Sequence, residues 1–309
     1  MSRKKSEPGL RRLTTERANV GATDLDLKPA LGIARTISAE DAKVAAAVKR
    51  ALPKIARAID LIADAFREGG RLIYVGAGTS GRIAALDAVE CPPTFNIDPR
   101  AVQFVMSGGL KALGVALESN EDSRQLGQRA IAKKKPRPSD VVVGISASGR
   151  TPFTVAALTY ARRHGAHTIA VTCNRNSPLE KAADLAIVAK VGPEVIAGST
   201  RMKAGTAQKM VLNMLSTGVM IRLGHVYGNL MASLRLKNTK LLERGIGILQ
   251  RTKGVDRNRA QRTLKAAANH VPTALIMLEA GVSPAQAEHA LRATRGHVRK
   301  AIAFASRSK

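Results

Sequence analysis

The chain has 309 residues, of which 45% are hydrophobic, and a formal net charge of +27. This length suggests two domains, or one α/β domain with helical additions, and the hydrophobic content is enough for a sizeable core. Aromatic residues make up only 3%, which weighs against the aromatic platforms that stack on sugars or on single-stranded nucleic acid. The two cysteines provide neither a disulfide framework nor a metal-binding spacing, so we expect a reducing compartment.

The basic N-terminus has no apolar run behind it and does not resemble a signal peptide. No segment approaches the roughly 18 uninterrupted apolar residues of a membrane-spanning helix. We therefore expect a cytoplasmic protein without membrane contact. Positive charge is concentrated in residues 235–309, which contain 16 Lys and Arg against 4 Asp and Glu. Such an excess attracts anions, including nucleic acid, but a solvated basic surface is the simpler interpretation.

In chain order, residues 1–37 are polar and predict an arm with little independent structure. A helical pattern begins at Ser38, which is followed by acidic residues suited to a first turn, and it continues to Phe66 before Gly69-Gly70. Short apolar runs that alternate with helical patterns come next. Such runs predict an α/β fold with a doubly wound, mainly parallel five-stranded sheet. The predicted strands are 71–75, 102–106, 140–145, 167–172 and 184–189.

The last part of the chain carries only helical patterns. A long one covers about 204–223, and from Leu241 onward helices are predicted with start and stop signals such as Asp256, Ser283-Pro284 and Gly281. The predicted organisation is therefore a polar N-terminal arm, an α/β domain and a small all-helical domain. Their predicted ranges are 1–37, 38–240 and 241–309.

Two loops rich in glycine and hydroxyl groups each follow a predicted strand and open a predicted helix. Gly76–Gly81 matches the dinucleotide fingerprint G-x-G-x-x-G, but the next strand ends in Ser107-Gly108-Gly109, where an NAD site needs an acid. Hydroxyls and backbone N–H groups at a helix N-terminus instead favour a single phosphate. A second such loop, Ser146–Thr151, makes a binding crevice at the strand ends the better interpretation. The predicted phosphate ligands are Thr79, Ser80, Ser146, Ser148 and Thr151.

The sequences V-G-A-G-T-S-G-R at 75–82 and G-I-S-A-S-G-R-T at 144–151 resemble the sugar isomerase (SIS) fold, whose members bind phosphosugars. Gly192–Lys209 resembles a long and specific signature shared by glucokinase regulatory proteins and N-acetylmuramic acid 6-phosphate etherases. Leu86–Thr94 and Glu118–Asp122 resemble the etherases in particular. The resemblance covers the chain from about Leu13 to its C-terminus and implies an etherase of cell-wall amino-sugar recycling that needs neither cofactor nor metal.

The etherase resemblance implies two catalytic carboxylates that cleave the lactyl ether by elimination followed by hydration. It implies that Glu121 removes the C2 proton of the ring-opened sugar, and that Glu90 protonates the departing lactate and later activates water. It also implies a homodimer in which a partner chain completes each active site. Arg201 and Lys203 are candidates to pair with the lactyl carboxylate. The residues expected to line the sugar site are Glu194, Ser199, Thr200, Arg201 and Lys203.

Three other functions share part of this pattern. A non-catalytic sugar-phosphate regulator would keep both loops but would not need Glu90 and Glu121. An aldose–ketose isomerase of the same fold would also use a glutamate, but the E-C-P-P-T segment at 90–94 points to the etherases. Residues 280–292 have a helix–turn–helix pattern, yet this segment fits a ubiquitin-associated fold better, and we expect no nucleic-acid partner. Cys91 is expected to be a packed thiol.

Overall fold

The computed structural model describes residues 13–117, 120–234, 236 and 238–307. Two compact units can be distinguished. The first consists of Met1–Ala88 and Arg100–Leu215, and the second of Val89–Pro99 and Ser216–Lys309. The predicted domain boundaries after residues 37 and 240 stay predictions, whereas the compact units divide the chain after residue 215.

The N-terminal arm has more structure than its polar composition predicts. From residue 13 it forms three short 3-10 turns, and the first α-helix, α1 (Ala30–Lys49), begins directly after Pro29 instead of at Ser38. Pro29 has the φ of −65° that a helix start requires. The three turns are Thr14–Glu16, Val20–Ala22 and Leu25–Leu27.

The single helix predicted from Ser38 to Phe66 is in fact divided. α1 ends at Lys49, and α2 (Leu52–Arg67) begins after Ala51 with Pro53 in its first turn. Proline has no N–H group to bond the preceding turn, so it suits a helix start and interrupts a helix interior. The continuous apolar spacing did not reveal this break, because both helices keep the same periodicity.

The predicted five-stranded sheet is confirmed, and each pair of neighbouring strands is parallel. The order is β2-β1-β3-β4-β5, so the chain moves outward from β1 to one edge and then returns past it to the other. All residues of β1 and β3 are buried, as their uninterrupted apolar sequences indicate. The strands are β1 (Leu72–Gly76), β2 (Val102–Met106), β3 (Val141–Ile145), β4 (His167–Thr172) and β5 (Leu185–Val188).

Helices cover both faces of the sheet in the first unit, which contains only the N-terminal parts of α3 and α7, up to Ala88 and Leu215. The helices that follow the first strand are α3 (Gly78–Phe95), α4 (Arg124–Ala132), α5 (Pro152–Arg163), α6 (Pro178–Ala182) and α7 (Lys203–Leu223). Successive side chains of a strand point to opposite faces. Ile73 accordingly packs in one core with Phe153 and Leu158 of α5, while the adjacent Tyr74 donates a hydrogen bond to Asp87 of α3 at 2.8 Å.

The all-helical C-terminal region is also confirmed. Asp256 and Ser283 cap their helices as predicted, and Gly281 ends one with a φ of +63°. Ile246, Leu249 and several other apolar side chains form the core of this unit. No helix in the described ranges is long and apolar enough to cross a membrane. The helices are α8 (Thr239–Lys253), α9 (Arg257–Ala266), α10 (Val271–Ala280), α11 (Pro284–Ala293) and α12 (Val298–Arg307).

Candidate functional site

The first hydroxyl loop is the N-terminal turn of α3. β1 ends at Gly76 and α3 begins at Gly78, which leaves a very short connection. A Cβ atom at Gly76 would lie 2.8 Å from the backbone nitrogen of Gly81, so the strand end and the helix start are in direct backbone contact. Glycines at these positions bring the N–H groups of the first helical turn to the edge of the sheet. An anion at this edge would meet the positive end of the helix dipole.

The two hydroxyls of this loop differ in their surroundings. Thr79 is half-buried, whereas Ser80 is buried. Ser80 is hydrogen-bonded through its Oγ to the side-chain amide of Gln208 on α7, over a distance of 2.9 Å. Gln208 was not among the residues predicted from the sequence, although it lies within the 192–209 segment. Its hydrogen bond connects the signature segment to the first hydroxyl loop.

In the second hydroxyl loop, the side-chain hydroxyl groups are hydrogen-bonded to one another. Ser146 is 3% exposed, and its Oγ lies 2.9 Å from Oγ1 of Thr151 and 3.4 Å from Oγ of Ser148. The backbone N–H of Gly149 donates to Ser146 Oγ at 3.1 Å, and that of Arg150 donates to Ser148 Oγ at 3.2 Å. These contacts hold three hydroxyls together at the N-terminus of α5. Such a group of donors is suited to a phosphate.

The two loops start from neighbouring points on one edge of the sheet. β1 and β3 are hydrogen-bonded in parallel, and their last residues, Gly76 and Ile145, are register partners. The strand order reverses between these two strands, because β2 lies on one side of β1 and β3 on the other. A reversal of this kind opens a crevice at the carboxyl ends of the strands, where ligands of open α/β sheets bind. All five predicted phosphate ligands lie in the two loops that follow β1 and β3.

Glu121 lies between these two loops. Its backbone carbonyl accepts a hydrogen bond of 3.0 Å from the N–H of Phe153 in the first turn of α5. Its carboxylate reaches the other loop, since a Cβ atom at Gly78 would come within 2.9 Å of Glu121 Oε1. Gly78 also has a φ of +51°, a conformation that other residues rarely adopt. Glycine at this position therefore leaves room for the carboxylate over the first loop.

Glu90 is an exposed side chain on α3 and belongs to the second compact unit. The adjacent Cys91 is buried, which agrees with the expectation of a packed thiol. Glu118, in the acidic segment before Glu121, lies outside the described residues. The predicted cooperation of Glu90 with Glu121 stays a prediction.

Glu194 is fully buried and binds the N-terminus of α7. Its two carboxylate oxygens accept hydrogen bonds from the backbone N–H groups of Lys203 at 3.0 Å and Ala204 at 2.9 Å. A carboxylate here satisfies two N–H groups that have no partner within the helix and complements the helix dipole. These contacts give Glu194 a structural role at the start of α7, and the direct sugar contact expected from the sequence stays a prediction.

Lys203 is likewise held inside the protein. Its side chain is 1% exposed, and its ammonium lies 2.5 Å from the Glu40 carboxylate of α1. Glu40 also binds Lys43, so one buried carboxylate serves two ammonium groups. The ion pair with Glu40 attaches the start of α7 to α1. The expected contact of Lys203 with the lactyl carboxylate stays a prediction.

The remaining three candidates lie in the turn before α7. Ser199 and Thr200 are half-buried and Arg201 is exposed. Backbone hydrogen bonds within the turn hold the first two, since Ser199 N donates to Ile196 O and Thr200 N donates to Gly198 O, both at 2.9 Å. These side chains remain candidates for the sugar site, and Arg201 is the candidate for binding a carboxylate.

The N-terminal arm supports this turn, which the sequence did not predict. Thr14 donates its backbone N–H to Asn174 Oδ1 at 2.9 Å, and Asn174 donates to Thr15 Oγ1 at 3.2 Å. Gly198 in turn donates its N–H to the carbonyl of Thr15 at 3.2 Å. The arm thus links the loop after β4 to the segment before α7. Both segments lie at the carboxyl edge of the sheet.

Glu40→Gln is expected to reduce the free energy of unfolding by about 3–5 kcal/mol at neutral pH, because it leaves the Lys203 ammonium buried without its counter-ion. Burial alone raises the pKa of Glu40, but hydrogen bonds from Lys203, Lys43 and Asn19 outweigh it and lower this pKa to about 2. Since the folded pKa is below the ordinary value, this stabilisation is complete above the ordinary pKa and disappears as the pH falls.

Denaturant unfolding of the parent and Glu40→Gln should therefore give a stability difference that shrinks between about pH 5 and pH 2. Asp64→Asn is the matched control, since it removes an exposed ion pair with Arg67 and should change stability little at any pH. A parent–variant difference that stays constant over this range would contradict the assigned ion pair.

Comparison with known proteins agrees with the sugar isomerase (SIS) fold that the two loops predicted. Residues 54–162 match the family model of the glucokinase regulatory protein N-terminal SIS domain, and residues 133–218 match that of the SIS domain. The chain is thus an SIS-domain protein.

Its curated relatives define the family more narrowly. The N-acetylmuramic acid 6-phosphate etherase of Bacillus subtilis is 48% identical over 298 residues, which cover 96% of this chain and 98% of that protein. The enzyme of the same name from Symbiobacterium thermophilum is 55% identical over 273 residues, or 88% and 91% of the two chains. That of Photorhabdus laumondii is 46% identical over 293 residues, or 95% and 97%. The chain belongs to the N-acetylmuramic acid 6-phosphate etherase family.

Proposed function

We propose that this chain cleaves the D-lactyl ether of N-acetylmuramic acid 6-phosphate and releases N-acetylglucosamine 6-phosphate and D-lactate. The observation that carries the proposal is the identity of 46–55% to proteins named for this etherase, over nearly the whole chain. A regulator or an isomerase of the same fold is not favoured, because relatives of this similarity carry the etherase name. The amino sugar of bacterial cell walls is the source of such a substrate.

The phosphate of the substrate is proposed to bind between the two hydroxyl loops. Two helix N-termini begin there, and each contributes backbone N–H groups together with hydroxyl donors. A phosphate fixed at C6 anchors one end of the sugar and limits where C2 and C3 can lie. Glu121 reaches over the first loop, so its carboxylate is suited to act on the sugar beyond the phosphate.

The first chemical step is proposed to be elimination. In the ring-opened sugar the C2 proton is acidic, because the adjacent C1 aldehyde accepts the electron pair that is left behind. Glu121 takes this proton as a general base. The C3–O bond then breaks, and the departing lactate oxygen takes a proton from Glu90. The products of this step are D-lactate and an unsaturated aldehyde.

The second step is proposed to be hydration of that aldehyde. Glu90, now a carboxylate, removes a proton from water, and the hydroxide adds to C3. The proton held by Glu121 returns to C2. The sum of both steps is the addition of one water across the ether, so neither an oxidant nor a reductant is consumed. Each glutamate ends in the protonation state in which it began.

D-lactate release from N-acetylmuramic acid 6-phosphate tests this function directly. The purified chain should release one lactate for each N-acetylglucosamine 6-phosphate formed, as measured with a lactate-specific dehydrogenase. A chain that binds the sugar phosphate tightly but releases no lactate would instead be a sugar-phosphate regulator.

Ser148→Ala is expected to weaken binding of N-acetylglucosamine 6-phosphate by about 10- to 100-fold, because a hydrogen bond to a charged group contributes about 1.5–3 kcal/mol. Isothermal titration calorimetry measures the effect. Thr159→Val is the matched control. It removes a hydroxyl of α5, the helix after this loop, and among the described residues that hydroxyl bonds the Val155 carbonyl. Equal affinities for parent and Ser148→Ala would argue against phosphate at this loop.

We also propose that the chain works in the cytoplasm as a homodimer in which a partner chain completes each active site. The support for this is the family resemblance. Light scattering should give twice the chain mass at concentrations used for the activity assay. Full activity of a monomeric chain would contradict the proposed dimer.

A further inference from the structure

A buried amide next to the first hydroxyl loop lacks part of its hydrogen bonding. Gln208 is 2% exposed, and its Oε1 is the atom paired with Ser80 Oγ at 2.9 Å. Its Nε2 is buried and has no hydrogen-bond partner among the described residues. A buried donor without an acceptor destabilises a protein by about 1–3 kcal/mol. This orientation of the amide is therefore unfavourable.

The other buried side-chain atoms without a partner lie at the same edge of the sheet. Within the described ranges these are Ser107 Oγ and Thr154 Oγ1. Ser107 directly follows β2 and donates its backbone N–H to Gly76 at the start of the first loop. Thr154 lies in the first turn of α5, just after the second loop. Polar groups that the protein leaves unsatisfied are thus gathered around the proposed phosphate site.

We infer that Gln208 is a positioning residue that makes Ser80 a hydrogen-bond donor to the phosphate. Turning the amide by 180° exchanges its oxygen and nitrogen, so that Nε2 donates to Ser80 Oγ across the same 2.9 Å. The atom left without a partner is then a carbonyl oxygen, which proteins tolerate better than an orphaned N–H. This inference rests on the proposed binding of a sugar phosphate.

The orientation of the amide decides what Ser80 can offer to a ligand. A serine hydroxyl has a single proton. If that proton points to Gln208, the oxygen presents only lone pairs to the crevice, and these repel a phosphate. If Ser80 accepts from Nε2 instead, its own proton is free to point into the crevice. Gln208 acts in this way without touching the substrate.

The test is a double-mutant cycle of Gln208 and Ser80, read out by the affinity for N-acetylglucosamine 6-phosphate. Gln208→Met removes the donor at similar volume and should weaken binding about tenfold. In a Ser80→Ala background the same change should alter affinity less than about twofold, since no hydroxyl remains to be oriented. The kcat for lactate release at saturating substrate should be nearly unchanged, while KM rises.

Asn213→Leu is the matched control. Asn213 is another amide of α7, and it donates to Asp87 of α3 at 2.9 Å, so its loss tests the same helix–helix connection away from the loop. This variant should change thermal stability but not ligand affinity. Gln208→Glu should weaken binding more than Gln208→Met, because a carboxylate can only accept the Ser80 proton and also repels the phosphate.

Three results would overturn the inference. These are parent-like affinity in Gln208→Met, an equal loss with and without Ser80, or a Gln208→Glu variant that binds as well as the parent. Failure of the proposed function is distinguishable, since it would appear as a parent chain that does not bind N-acetylglucosamine 6-phosphate at all.

Discussion

Glu121→Gln is expected to lose both D-lactate release and exchange of the C2 proton, each by about 10²–10⁴-fold. The carboxylate lies over the first hydroxyl loop, next to Gly78, and the backbone of Glu121 is attached to the start of α5. Glutamine keeps the shape and these contacts but cannot accept the proton. The base is needed for elimination and for exchange alike, so both activities should fall together.

The exchange reaction isolates this step, because N-acetylglucosamine 6-phosphate has a C2 proton but no ether. The variant is incubated with that sugar in deuterated water, and the C2 proton signal is followed by NMR. Asp122→Asn is the matched control, because it neutralises the neighbouring exposed carboxylate and should leave exchange at the parent rate. Rapid exchange in Glu121→Gln would show that another residue is the base.

Glu90→Gln is expected to separate the two activities. Lactate release should fall by about 10²–10⁴-fold, because no acid remains to protonate the leaving oxygen. Exchange at C2 should persist, since it requires only the base. Glu90 is exposed on α3, so the substitution should not affect folding, and thermal unfolding checks this.

The pair of variants assigns the roles of both glutamates in one set of assays. Glu68→Gln, at an exposed position just after α2, is the control for loss of a surface carboxylate and should leave both activities intact. Exchange that is lost in Glu90→Gln but kept in Glu121→Gln would reverse the two roles. Lactate release at the parent rate in both variants would mean that neither carboxylate is catalytic.

The sheet could be predicted from the sequence because its strands are buried on both faces. Residues of β1 and β3 are apolar without interruption, and a strand buried on both faces has this pattern regardless of which elements pack against it. Once the strands were predicted, the two loops could be placed at the same edge of the sheet, since parallel strands have their carboxyl ends at one edge. The caps at Asp256 and Ser283 were also predictable, because a cap is a local interaction between residues three positions apart.

The start of α1 was not predictable in the same way. Ser38 followed by two acids has the composition of a helix start, yet it lies inside a helix that begins at Ala30. The true start has no capping side chain and is marked only by Pro29. Local signals therefore favoured the wrong residue.

The structural contacts of Glu194 and Lys203 could not be predicted, for a different reason. Charged residues within a family signature suggest ligand contacts, and a sequence does not reveal burial. Lys203 finds its partner Glu40 163 positions away in the chain, on a helix whose start was itself misplaced. Gln208 was missed because a lone glutamine on an apolar helix carries no signal until its neighbour Ser80 is known.

The most direct test of the account is the fate of water oxygen during lactate release. The parent chain is incubated with N-acetylmuramic acid 6-phosphate in water enriched in heavy oxygen, and both products are analysed by mass spectrometry. Elimination breaks the bond between C3 and the ether oxygen, so lactate should carry no label and the label should appear at the C3 hydroxyl of the sugar. Label in lactate, or no lactate at all, would contradict the proposed mechanism.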